Sequence, residues 1–326
     1  MRKLWIFLWA VFSAAILIAA PENPRTFENP LAERGADPWF TKRGKRYYYC
    51  KSAGNHIRVG AASEFPALGK VKTKEVWRPP QGTAYSRNLW APELYYLDGN
   101  WYIYVAADDG ENKNHRMYVL KGTSQDPTKP FEFVGKISTP DDHWAIDGTV
   151  LEHQGKRYFI WSGWQGGKNG SQELYIARME TPVTLTGTRV RISKPDRKWE
   201  KRGMPIQEGP AALYHNDDLF LIYSGSGSWT DHYCLGALKL TGNDPMNPEH
   251  WTKLPEPILK KSETLFGPGH CSFVPSGGKI WCIYHGNRKS GTGWKGRSVL
   301  AQPVNWDGSG NPVLDPAAGF GSRFSY

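Results

Sequence analysis

The chain has little cysteine, no long apolar run beyond its first twenty residues and no convincing amphipathic helix of three turns, and each shortage removes a class of protein. None of the four cysteines, Cys50, Cys234, Cys271 and Cys282, stands in a spacing typical of a zinc site. In an exported chain they are compatible with disulfides, with three pairings open, and a turn near Ser276-Gly277 would set Cys271 opposite Cys282. No internal stretch is apolar enough to span a bilayer. Dense single-sign charge is also missing. Lys and Arg outnumber Asp and Glu by 41 to 31, but the densest basic run, Lys42-Arg43-Gly44-Lys45-Arg46, reads as a solvated hairpin turn. Nucleic-acid binding is therefore not expected.

The exception to the apolar shortage is the N-terminus. Arg2 and Lys3 precede an apolar segment from Leu4 to Ala20, which ends on the small residues Ala19 and Ala20 before Pro21. That order predicts a secretory signal peptide over residues 1–20, with a membrane anchor as the alternative. Residues 21–326 then form one exported domain, whose formal charge falls from +10 to 10 − 2 = +8 and which has no membrane association.

What the chain does have is aromatics and turn residues: 15 Trp, 16 Tyr, 13 Phe, 35 Gly and 24 Pro. Aromatic-rich segments broken by Gly and Pro favour sheet, so the chain reads as all-β. One unit recurs five times: a polar residue at a Gly/Pro turn, a short strand, a tight turn and an aromatic-rich strand. Its copies open at Asp37-Pro38-Trp39-Phe40, Pro92-Glu93-Leu94-Tyr95, Asp147-Gly148-Thr149-Val150, Glu208-Gly209-Pro210-Ala211 and Gly269-His270-Cys271-Ser272. The lead residues Asp37, Glu93, Asp147, Glu208 and His270 are 56, 54, 61 and 62 positions apart. A period of that size fits a four-stranded blade, and five blades predict a five-bladed β-propeller with the two quoted strands innermost.

In a propeller every innermost strand starts at one face of the central channel, so equivalent strand starts converge there. Read in one shared register, the five lead residues bring four acids and a histidine together. A single turn acid is ordinarily just solvated. Five in one register point to a site. Two carboxyls across a pocket can protonate a leaving oxygen and deprotonate a water, the chemistry of glycosidic cleavage. A third acid beside them raises its neighbour's pKa and supplies a protonated carboxyl near neutrality. Aromatic residues crowd the same strand starts: Trp39 and Phe40 beside Asp37, Trp90 before Glu93, Trp144 before Asp147, and Trp164 and Trp229 after second strands. Sugar C–H faces pack on such rings, and Trp90 is the foremost candidate platform, placed on the channel rim by the Ser86-Arg87-Asn88 turn.

These residues resemble glycoside hydrolase family 43, the arabinofuranosidase, xylosidase and arabinanase family. The resemblance runs through Arg34-Gly35-Ala36-Asp37-Pro38, Leu89-Trp90-Ala91-Pro92-Glu93, Ala145-Ile146-Asp147-Gly148, Gln207-Glu208-Gly209-Pro210 and Gly267-Pro268-Gly269-His270, in order and over the whole mature chain. It implies that Asp37 is the general base, Glu208 the general acid, and Asp147 the residue that orients Glu208 and raises its pKa, with inversion at the anomeric carbon. It also implies that Arg297 reaches substrate hydroxyls from the last blade, and that a hydrated calcium stands in the channel near His270, held mostly through water. No cofactor is required for the chemistry. Glu93 stands where many relatives have Asp, so subsite details there do not carry over directly.

The expected function is release of terminal α-L-arabinofuranosyl residues from plant cell-wall arabinan or arabinoxylan, outside the cell and by a monomer. Trp90, Glu93, Trp39, Phe40, Trp164 and Arg297 are the expected substrate contacts. A β-xylosidase or an endo-1,5-α-L-arabinanase would use the same three acids. A lectin propeller would need the aromatics but not three acids, and a protein-interaction propeller has no need of carboxylates at its channel.

Overall fold

The computed structural model describes residues 25–326; the expected signal segment, residues 1–20, lies outside the described residues. Its strands arrange as five antiparallel blades, each built in sequence order from the channel outward. Blade 1 comprises Trp39–Arg43, Arg46–Ser52, Ile57–Ala62 and Lys74–Trp77; blade 2 comprises Arg87–Leu97, Asn100–Asp108, Arg116–Gly122 and Phe131–Lys136. Blade 3 runs through Ala145–His153, Lys156–Gly163, Glu173–Thr181 and Thr184–Ser193, and blade 4 through Gln207–His215, Asp218–Gly225, Cys234–Leu240 and Trp251–Lys253. Blade 5 has Phe266–Ser276, Lys279–Asn287 and Arg297–Pro303. The quoted pairs are thus the inner strands, and helix is confined to short 3-10 turns among the described residues.

Tight turns fix this arrangement. In every blade the two inner strands close over two residues, as between Leu97 and Asn100 or His153 and Lys156. Asp98-Gly99, Gln154-Gly155 and Gly277-Gly278 hold both turn residues at positive φ, the twist that a two-residue hairpin requires. The basic run at 42–46 is also a two-residue turn, with Gly44 alone at positive φ and the Arg43 guanidinium lying 3.5 Å from the centroid of the Tyr96 ring in the next blade. Apolar cores fill the wedges between blades. One packs Tyr104, Trp144, Trp161 and Trp164 between blades 2 and 3, and another packs Phe40, Tyr49, Trp281 and Val299 between blades 1 and 5.

The ring closes by joining the two ends of the described chain. Thr26–Glu28 pairs with Arg323–Ser325, and Ala32 bridges Val299 on the outer strand of blade 5. Asn29, buried there, donates its amide to the carbonyls of Ala301 and Ala318 and accepts the Ala301 N–H. Blades 1 and 5 are also stitched at the channel, where Ser272 Oγ accepts the Phe40 N–H at 2.9 Å and donates to the Pro38 carbonyl at 2.8 Å.

Two expectations change here. The inner hairpin of blade 5 turns at Gly277-Gly278, which sets Cys282 opposite Phe273 and leaves Cys271 two residues out of line. All four cysteines are buried free thiols. The second change is the register of the repeat. Strand pairing makes Trp39, Glu93, Thr149, Ala211 and Ser272 equivalent, since each faces the residue eleven positions on. Counting back two, the equivalent strand-start residues are Asp37, Ala91, Asp147, Gly209 and His270. All five have positive φ, between 41° and 56°. The lead acids were therefore not in one register: Glu208 precedes the shared position by one residue and Glu93 follows it by two.

Candidate active site

The shared left-handed residue puts a bulge at the start of four inner strands, and the pairing shifts there in blades 2, 3, 4 and 5. A bulge re-aims side chains that a regular strand would alternate between faces. Thus Asp37, Asp147 and His270, at the left-handed position itself, and Glu208, one residue earlier, all reach one end of the channel. Blade 2 offers Ala91 at the left-handed position and Trp90 in the register of Glu208. Gly209 accepts this conformation without strain, and its missing Cβ makes room for His270, whose ring would stand 3.0 Å from that carbon.

Asp37, with its side chain 23% exposed, is ringed by nitrogen. Its Oδ1 lies 3.3 Å from His270 Nδ1, 3.3 Å from His285 Nδ1 and 3.4 Å from Arg297 Nη1. Burial pushes this carboxyl upward, but His270, the His285 hydrogen bond and Arg297 outweigh it and hold Asp37 well below the ordinary carboxylate range. Burial also keeps both imidazoles neutral: His270 is lowered, and His285 is pushed down to about 3 by burial and the neighbouring guanidinium. The charge that keeps Asp37 ionised at neutrality is therefore that of Arg297.

Asp147 and Glu208 are buried, at 4% and 6% exposure, and titrate the other way. Asp147 Oδ2 accepts the Gly209 N–H at 3.0 Å, so it grips the peptide that follows Glu208, and it stands 4.0 Å from His270 Nδ1. Burial, then the charges of Glu208 and Asp37, raise Asp147 well above its usual value. Glu208 Oε1 accepts the Tyr233 hydroxyl at 2.9 Å. Burial first, with Asp37 adding and Tyr233, Arg297 and Ser228 opposing, pushes Glu208 up to about 7. Two buried carboxyls that repel each other hold a proton between them at neutral pH.

The other expected contacts are sorted by burial. Trp90 is 39% exposed and lies on the His115 imidazole at 4.0 Å, backed by a buried Asp108–His115 pair at 2.9 Å. It remains a ring open to a ligand. Arg297 stands in the site, donating Nη2 to the Ser228 carbonyl at 3.1 Å. Glu93 does not meet the mouth: its two-residue offset buries it at 2% exposure under the Tyr95 hydroxyl, and burial raises it well above its ordinary value. Phe40, 1% exposed, packs on Tyr49 in the blade 1–5 core, where truncation to Ala would cost about 3–5 kcal/mol of stability. Trp39 is half-buried between blades, its Nε1 donating to the Leu94 carbonyl at 3.0 Å and its ring 5.2 Å from Tyr95. Trp164 is buried at 3% behind Trp144, stacked at 4.5 Å. These four pack the fold and do not line the mouth.

Two site residues had no signal at the inner strand starts. His285 comes from the second strand of blade 5, opposite Gly269, and Tyr233 from the segment before the third strand of blade 4. Their rings stack in parallel at 5.6 Å and 6°. The Gly267-Pro268-Gly269 sequence carries the trace of that stack, because a Cβ on Gly269 would lie 2.3 Å from the Tyr233 ring.

A calcium near His270 would take six to eight oxygen ligands. The acids facing His270 are Asp37 and Asp147, already engaged with Arg297 and the Gly209 N–H, and no three His, Cys, Asp or Glu side chains group as ligands among the described residues. That donor set does not fit a directly liganded calcium, and no chemical step here runs through one. A surface hollow of about 840 Å³, lined by Asp98, Glu152, Lys156 and Arg157, lies at the hairpin ends of blades 2 and 3, away from the three acids.

Residues 27–312 match the family described as glycosyl hydrolases family 43. An extracellular exo-α-(1→5)-L-arabinofuranosidase of Streptomyces avermitilis is 33% identical, over 96% of this chain and 70% of its own. A protein of the same description from Streptomyces chartreusis is 34% identical over 82% of this chain and 84% of its own. Among solved structures, α-L-arabinofuranosidase from Lactobacillus brevis has a TM-score of 0.86 at 32% identity, covering 91% of this chain and 98% of that one.

Proposed function

Because this chain belongs to the glycosyl hydrolases of family 43, we propose that it releases terminal α-L-arabinofuranosyl residues from plant cell-wall arabinan or arabinoxylan, outside the cell, by direct inverting hydrolysis. The observation that carries the reading is the split state of the carboxyls at the channel mouth. Asp37 is held ionised, and the Asp147/Glu208 pair is held toward protonation, with Glu208 near 7.

In this reading Glu208 protonates the glycosidic oxygen as its bond to the anomeric carbon breaks. Asp37 takes a proton from a water on the opposite face of the ring, and the water oxygen bonds to the anomeric carbon. Asp147 does not touch the reacting atoms. It fixes the Glu208–Gly209 peptide by accepting the Gly209 N–H, while the like charge that favours the protonated acid comes from Asp37. Arg297 keeps the base ionised, and its Nε is buried with no partner among the described residues. The choice of arabinofuranoside, and of an extracellular setting, draws on the two Streptomyces relatives described in those terms.

The test is parallel hydrolysis of p-nitrophenyl α-L-arabinofuranoside, p-nitrophenyl β-D-xyloside and linear arabinan, with the first-released anomer followed by NMR. Arabinose released as the inverted anomer is expected. Activity on the xyloside alone would replace the sugar, internal cleavage of arabinan would replace the exo mode, and a retained anomer would overturn the base assignment. Tight binding with no turnover would make the protein a lectin.

A further inference from the structure

The mechanism leaves unused the two most exposed tryptophans of the described chain that lie near the mouth, Trp229 at 41% and Trp294 at 63%. Isolated exposed apolar residues are ordinary, but paired indoles on two different blades are costly to leave in water without a use. Trp229 lies in the segment after the second strand of blade 4, and Trp294 in a 3-10 turn before the last strand of blade 5. The rings meet edge to face at 5.9 Å. Their segments are fastened to each other: Asp231 accepts hydrogen bonds from the Ser290 hydroxyl and the Gly291 N–H, and its carbonyl accepts the Gly267 N–H. Trp229 also rests on Gly227, where a Cβ would come within 2.8 Å of the indole.

Ser228 connects this pair to the chemistry. Its Oγ accepts the Trp294 Nε1–H at 3.1 Å, its hydroxyl is near enough to Glu208 to lower that carboxyl's pKa, and its carbonyl accepts Arg297 Nη2. Trp294 is thus one hydroxyl away from the group that protonates the leaving oxygen. A leaving sugar is bonded to that oxygen and must lie beside the acid, whereas the sugar being released lies inward between acid and base. An indole offers the flat apolar face that a sugar C–H surface covers, with its N–H already satisfied by Ser228. We infer that Trp229 and Trp294 form the subsite for the leaving sugar, binding the penultimate residue of an arabino-oligosaccharide chain on the side of the channel across from Trp90. This rests on the arabinofuranosidase reading and gives that site its polymer side.

The test compares α-1,5-arabinotriose with α-L-arabinofuranosyl fluoride, whose leaving group is a single atom that cannot reach the indoles. Trp294→Ala and Trp229→Ala should each lower kcat/KM on the triose about tenfold more than on the fluoride, the scale of one lost ring contact. Trp294→Phe should recover part of that difference, and Phe133→Ala, an exposed ring on the outermost strand of blade 2, should leave the ratio of the two substrates as in the wild type. An unchanged triose-to-fluoride ratio in both tryptophan variants overturns the subsite. Failure of the wild type on both substrates overturns the arabinofuranosidase reading instead. Because the two indoles stand on separate segments, a folding defect in one variant leaves the other to decide.

Discussion

On the blade 1 side of the mouth Asp37 faces two imidazoles and a guanidinium, whereas on the blade 3 and 4 side Asp147 faces the Gly209 N–H and the charge of Glu208, and Glu208 faces the Tyr233 hydroxyl. Burial disfavours the charged form of all three, by up to 3–5 units for a fully enclosed carboxyl. Arg297 opposes burial at all three, but its guanidinium pairs directly with Asp37 alone among the three acids. A guanidinium 3.4 Å away is worth about 5 kcal/mol at an effective dielectric near 20, which offsets about 3–4 units of such a shift. The backbone is the same on both sides, a left-handed residue at each strand start. The division into base and acid comes from Arg297, supplied by the third strand of blade 5 and not by any inner strand.

Removing either carboxyl has the largest effect and separates the two roles. Glu208→Gln should lose about 10³-fold in kcat on arabino-oligosaccharides, but far less on a dinitrophenyl arabinofuranoside, whose leaving group needs no proton. Asp37→Asn should lose a comparable factor on both substrates, because water must be activated whatever leaves. Equal sensitivity to leaving group in the two variants would mean that acid and base have been exchanged. Arg297→Met comes next. Loss of the cation disfavours both anions, so the Asp37 limb of the kcat/KM profile should rise from below the ordinary carboxylate range by about 1–3 units. The Glu208 limb, near pH 7, should also move to higher pH. A shift of one limb alone would show that Arg297 serves only one side.

The same contrast explains what could be read before the fold was known. Alternation of aromatic strands with two-residue turns made the blades legible, because hairpin chemistry is local: Asp98-Gly99 and Gln154-Gly155 carry it in adjacent residues. The three acids were legible as strand-start residues. Their register was not, since a bulge offsets Glu208 by one position and Glu93 by two, and a two-residue offset is the difference between a mouth and a buried strand core. Burial likewise decided Phe40 and Trp164, whose aromatic character suits a sugar platform and a blade core equally. His285, Tyr233 and Trp294 came from second strands and connecting segments, where proximity to the site is a property of packing that no spacing along the chain expresses.

The smallest effects test whether the two halves are independent. His285 touches Asp37, and Tyr233 touches Glu208, yet their rings stack at 5.6 Å. His285→Phe keeps a ring but removes the Nδ1 that accepts the Asp37 N–H at 3.1 Å and stands 3.3 Å from its carboxylate, a contact that lowers Asp37, so the acidic limb should rise by about one unit with the alkaline limb in place. Tyr233→Phe keeps the stack and deletes one hydroxyl. That hydroxyl donates to the Glu208 carboxylate and so favours its charged form; without it the pKa of the acid rises. The general acid then stays protonated to higher pH, and the alkaline limb of the kcat/KM profile should move up by about half a unit while the acidic limb stays. A matching movement of the acidic limb in Tyr233→Phe would show that the stack couples base to acid, and that the two sides of the mouth titrate as one unit.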